Sequence, residues 1–239
     1  MKNKTLALFI IVLLVVASAM PILAAAKPSD VKLVILELRA DAKPDGTPGG
    51  KPIKPPPPEP TPADKNPNYE CLPFSFSTTA EYWVNPNNAY GFTVEQVEYA
   101  ITTSAETWDF ETAFEVFEYK DTTTLTSGNR DGYNVVDWGR YRNGVIAVTM
   151  IWYSGTEILE VDMKLNTRYA WSISEDGVAR KMDVQNIVTH EFGHWAGLDD
   201  LYNAEDALLT MYGYSGYGVT YQRDLGLGDI LGIQDVYGL

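Results

Sequence analysis

The chain has two histidines, His190 and His194, and both fall in the run HEFGHWAGLDD between His190 and Asp200. That spacing constrains the local fold more than any other feature of the sequence. On an α-helix, residues four apart differ by about 40° of rotation, so both imidazoles stand on one face, one turn apart. Two neutral imidazoles placed this way can reach a single Zn²⁺ at about 2.0–2.1 Å. Glu191 lies beside His190, where it can take a proton from a water on the metal's open side and pass it to a leaving nitrogen. Val184, Ile187, Val188 and Phe192 recur at helical spacing and predict the helix over 183–196.

A catalytic zinc needs a third protein ligand and an open position. Both histidines are already used and Cys71 is the one cysteine, so an acid is left to supply the ligand. A lone cysteine also excludes an intramolecular disulfide framework and a Cys-rich zinc knuckle. Gly197 permits a left-handed turn that ends the helix and folds the chain back under the metal. Asp200, six residues after His194, is then the expected ligand, with Asp199 the alternative if the turn is wound differently.

Charge and length narrow the class. Thirty-two acidic residues stand against 18 basic ones, a formal net charge of -14, which argues against a phosphate-binding or nucleic-acid-binding surface. With 45% hydrophobic and 12% aromatic residues, the 239-residue chain can bury one sizeable core with appendages. Residues 1–26 carry Lys2 and Lys4, then an apolar run, then Ala24–Ala26, the pattern of a secretory signal peptide. Left uncleaved, the same run is long enough to anchor the chain in a membrane and tether it to a cell surface. Either way the expectation is a secreted or cell-surface protein. Nine of the fourteen prolines lie between Pro44 and Pro62, which predicts a semi-rigid polyproline II spacer. The domain plan is therefore a signal segment at 1–26, a short N-terminal segment and linker at 27–69, and a folded domain at 70–239. Ahead of the prolines, Val31–Leu38 (VKLVILEL) is strand-like and could be a prosegment remnant, a strand added to the main sheet, or a docking peptide.

Within the folded domain, Ala80–Val84, Phe114–Tyr119, Tyr133–Trp138, Gly144–Tyr153 and Ile158–Leu165 read as strands. Thr93 with Gln96 forms a capping box ahead of a long amphipathic helix carrying Val94, Val97, Ile101 and Trp108. Residues 201–228 are irregular, and Asp229–Tyr237 closes the chain as a short helix. This order predicts an α+β domain, a sheet with helices packed against it.

These motifs resemble those of the metzincin metalloproteases of the matrixin type. The pattern H-E-x-x-H-x-x-G-x-x-H is matched at His190, Glu191, His194 and Gly197, with Asp200 at the last ligand position, as in the snapalysin group. LTMYGYS (Leu209–Ser215) resembles the matrixin Met-turn, and GDILGIQDVYG resembles the matrixin C-terminal ending. The resemblance covers residues 72–239. It implies a twisted, mixed and mostly parallel sheet with an edge strand over the cleft, a long active-site helix and a C-terminal helix. It also implies one catalytic zinc, Met211 beneath it, Asp229 supporting the Met-turn backbone, and Tyr212 and Tyr214 walling a substrate pocket. Protein or peptide substrates would pair with an edge strand, for which Ala147–Tyr153 is the candidate. The expected protein is a monomeric secreted zinc endopeptidase, and calcium is compatible with the family. The chain departs from the pattern at Gly228, where matrixins carry the first of two aspartates, and it lacks the cysteine-switch peptide, so Cys71 reads as a buried or free thiol. The other functions to weigh are a non-catalytic, zinc-stabilised extracellular binding module and hydrolysis of a non-peptide amide.

Overall fold

Five strand segments with one helix among them build the frame that holds the HEFGH run, which follows them on a second helix. A computed structural model describes residues 30–40 and 65–239. The signal segment and most of the proline-rich spacer lie outside the described residues. The elements run β1 (Lys32–Ala40), β2 (Ala80–Val84), α1 (Val94–Asp109), β3 (Phe117–Thr122), β4 (Asn134–Gly139), β5 (Val145–Ser154) and β6 (Glu157–Asn166). They continue with β7 (Trp171–Ser172), β8 (Met182–Asp183), α2 (Val184–Trp195), β9 (Tyr214–Ser215) and α3 (Leu227–Tyr237). Among the described residues no helix is long and apolar enough to cross a membrane.

Seven strands form one sheet in the order β3-β2-β4-β6-β5-β1-β9. β3, β2, β4 and β6 are mutually parallel, β5 is antiparallel to β6 and β1 is antiparallel to β5. The last residues of β1 pair in parallel with β9. This is the expected α+β architecture, a mixed, mostly parallel sheet with three helices. β7 and β8 pair as a separate two-residue ladder that the sequence did not signal.

Packing fixes the zinc-motif helix to this sheet. α1 begins at the predicted capping box, with Gln96 N–H donating to Thr93 Oγ1 and Thr93 N–H to Gln96 Oε1. Its buried stripe, including Val97, Ile101 and Trp108, faces α2, and Trp108 Nε1–H donates to the Thr189 carbonyl at 2.8 Å. β3 starts three residues later than its alternation predicts. Asp109 at the end of α1 accepts from the Val116 and Phe117 N–H groups and holds 110–116 as a connection.

β5 is where the correction lies. Its residues Val145–Trp152 are all buried, because Ala147 and Ile151 join the main core while Val148, Met150 and Trp152 form a second cluster on the opposite face. The candidate edge strand Ala147–Tyr153 does not have a free edge here. β1 lies along its outer side from Lys32↔Tyr153 to Leu38↔Ala147, so the strand-like segment takes the form of a strand added to the main sheet. The sequence could not signal this pairing, since a long proline-rich stretch separates the partners.

The chain enters the domain across the start of α3. A Cβ at Gly228 would run into the Asn68 carbonyl, so glycine there lets the backbone of residues 66–68 cross the helix directly. Asn66 and Asn68 both donate to the buried Asp206 carboxylate, at 2.7 and 2.9 Å.

Part of the acidic excess points inward. Asp162 on β6 accepts from the N–H groups of Gly128 and Val135, and Glu160 accepts from Asp131 and Gly132, which fastens the loop between β3 and β4 to the sheet. Burial pushes the Asp162 carboxyl up from 3.8 to about 7, against the lowering effect of its two N–H donors. The folded chain therefore binds this proton more tightly than the unfolded chain. Its contribution to stability is fully present below about pH 4 and is lost as pH rises through 7. Asp162→Asn should lower stability by about 1–3 kcal/mol, because an amide offers one acceptor oxygen where two are used. It should also flatten the decline between pH 4 and 7 in a series of thermal melts.

Candidate metal and catalytic site

α2 is started and stopped by its own sequence. Asp183 caps it, accepting the Asn186 N–H at 2.8 Å, and Arg223 pairs with the same carboxylate through Nε and a terminal nitrogen. At the other end Gly197 adopts φ +88°, in the left-handed region that glycine enters without strain. A Cβ there would also press on the Phe74 carbonyl at 3.1 Å. The turn carries Asp200 back beneath the helix.

His190, His194 and Asp200 are all buried, and one ligand atom from each lies within 4.8 Å of the others. Asp200 Oδ1 is 3.3 Å from His190 Nε2 and 3.7 Å from His194 Nε2. Each histidine is set by its other nitrogen. His190 Nδ1 is 2.7 Å from the Thr210 carbonyl and His194 Nδ1 is 2.9 Å from the Leu198 carbonyl. A carbonyl only accepts, so each Nδ1 carries the proton and each Nε2 presents a lone pair. Two imidazole lone pairs and a carboxylate oxygen thus converge with no donor among them. His190 Nε2, His194 Nε2, Asp200 Oδ1 and Glu191 Oε1 are all buried without a hydrogen-bond partner. Buried acceptors cost free energy unless something positive satisfies them. Two nitrogens and one oxygen at this spacing fit a zinc ion.

Asp199, the alternative ligand, turns elsewhere and accepts the Asp200 backbone N–H at 2.8 Å. Glu191 donates nothing and is aimed by Thr149 on β5, whose hydroxyl gives a 2.6 Å hydrogen bond to Oε2. Burial pushes the Glu191 carboxyl up to about 7. Asp200 is held in turn by the Tyr202 hydroxyl at 2.9 Å. Sequence reasoning missed both supporting residues. Thr149 carried a faint signal, a lone hydroxyl in the apolar run VIAVTMIW.

The turn after Asp200 lies against the cluster. Asp229 on α3 accepts the N–H groups of Thr210, Met211 and Gly226 at 2.8, 3.0 and 2.8 Å. Met211 is buried, and its thioether fills the space that a Cβ on Gly193, the residue before His194, would need. Tyr212 and Tyr214 have ring centroids 5.6 Å apart, and Tyr214 makes a further ring contact with Tyr202. Asn186, Ser215 and Gln222 form a buried hydrogen-bonded set that ties the start of α2 to β9. The Cys71 thiol points elsewhere, toward Asp235, and burial raises its pKa.

Comparison with known proteins adds one finding. The family model described as Matrixin matches residues 77–238. No curated protein matches the chain.

Two substitutions separate binding from support. Asp200→Ala should weaken zinc affinity by more than about 100-fold, beyond the range for a lost outer-shell partner, when measured by competition with a chromogenic chelator. Asp229→Ala leaves three buried N–H groups unpaired and should cost at least about 3 kcal/mol in denaturant unfolding.

Proposed function

This chain belongs to the matrixin family of zinc metalloproteases, hydrolases acting on protein or peptide substrates, and we propose that it is a secreted endopeptidase with residues 70–239 as its catalytic domain. Residues 1–26 would be the signal peptide, or an anchor if uncleaved. His190, His194 and Asp200 would hold the zinc, with Gly197, Met211 and Asp229 as its structural support. Zinc, when bound there, supplies a Lewis acid that polarises the scissile carbonyl and lowers the pKa of water.

Glu191 does the proton work. Its Oε2 is occupied by Thr149, which leaves Oε1, the buried oxygen without a partner, to take the proton of the attacking water and deliver it to the departing amine nitrogen. An extended peptide would be aligned by main-chain hydrogen bonds along β5 in the place that β1 holds here, with Tyr212 and Tyr214 flanking the residue after the scissile bond. The observation that carries this reading is the convergence of three buried ligand atoms beside an oriented, otherwise unused glutamate. A binding module stabilised by zinc has no need of that glutamate.

Glu191→Ala should keep zinc binding and lower hydrolysis of an unfolded protein by at least about 10²-fold. In the unsubstituted chain a chelator should abolish the hydrolysis and added zinc restore it. Full activity in the Glu191→Ala chain overturns the assignment.

A further inference from the structure

β1 lies where the proposed function requires a peptide to lie. Residues 32–40 run antiparallel to β5 and then parallel to β9, flanked on both sides at their end. The flanking bonds are backbone ones, from Arg39 N–H to the Gly213 carbonyl at 3.3 Å and from Ala40 N–H to the Gly144 carbonyl at 3.0 Å. One face of the strand is apolar and turned inward. Leu38 is 0% exposed and packs into the core cluster that includes α2 and Met211, with Leu36 and Val34 partly buried beside it.

The other face carries a carboxylate that the rest of the domain recognises. Glu37 is 9% exposed, accepts the Tyr141 hydroxyl at 3.1 Å and pairs with the Arg142 guanidinium. Both partners come from the loop between β4 and β5, so the body of the domain reads this side chain. Leu36 and Glu37 line one cavity of about 370 Å³ together with Asp200 and Tyr202. β1 is also weakly built as a core strand, since Leu33 and Ile35 remain 49% and 47% exposed.

We propose that β1 is a tethered substrate mimic seated in the cleft, and that Tyr141 and Arg142 form a specificity subsite for an acidic side chain immediately before an aliphatic one. The proposal rests on the reading that substrate aligns along β5. The cleft accordingly prefers extended peptides of the form aliphatic-Glu-Leu, and the chain holds its own copy there until that copy is displaced. Because strand and cleft belong to one chain, their association is intramolecular, so even a weakly bound strand suffices to block.

The test uses the full chain loaded with zinc. Glu37→Lys combined with Leu38→Asp should unseat β1 and raise kcat/KM on dye-labelled casein at least tenfold. The free decapeptide VKLVILELRA should then inhibit that variant competitively, raising KM at constant kcat. Its Lys-for-Glu form should bind at least tenfold more weakly, and Arg142→Glu should reverse the preference. Equal kcat/KM in the parent and the double variant, both unfolding cooperatively, overturns the proposal. If the double variant fails to fold, Arg142→Glu alone should raise hydrolysis and Glu37→Lys in the same chain should restore the block; no restoration overturns it. If no variant hydrolyses casein, anisotropy of the labelled decapeptide on the double variant decides. Binding with the tenfold Glu-over-Lys preference upholds the seat and places the failure in the catalytic reading, while absence of binding removes the proposal.

Discussion

The site depends on a single carboxylate that touches no ligand. Asp229 takes three backbone N–H groups from two segments, 210–211 and 226, and so fixes the turn that lies beneath α2. From that turn the Thr210 carbonyl sets the tautomer of His190, and Met211 packs against α2 at Gly193. Burial pushes the Asp229 carboxyl up to about 6, so the three donors are what keep a charged acceptor tolerable in an apolar surround. The metal-binding geometry is therefore held by a hydrogen-bond knot that forms with the fold, before any ion is considered.

What the sequence made legible follows from locality. His190, Glu191 and His194 share a helix whose period is written in Val184, Ile187, Val188 and Phe192, and Gly197 announces the turn that delivers Asp200 three residues later. The Met-turn and α3 were readable because their motifs are contiguous. Thr149, Tyr202 and the pairing of β1 with β5 were not, because each matters only through a partner brought near by the sheet or by a turn. Strand limits slipped for the same reason. The start of β3 is decided by Asp109, a residue of the preceding helix, and no alternation within 114–119 records it.

The acidic composition also changes meaning once it is located. Read as a total, it suggests solubility and argues against nucleic-acid partners. In the fold, Asp109, Glu160, Asp162 and Asp229 point inward and accept main-chain N–H groups, doing for irregular loops what a ladder does for strands. A domain with long connections between its elements has many such donors to satisfy, and carboxylates accept more than one each.

Gly228 carries a last implication. The entering chain crosses α3 through the Asn68 carbonyl, a group that every uncut polypeptide already has, and is pinned by Asp206 through two neutral amides. No newly liberated amino terminus is needed to complete this contact. The docking of the entry segment is thus blind to the proteolytic history of the chain.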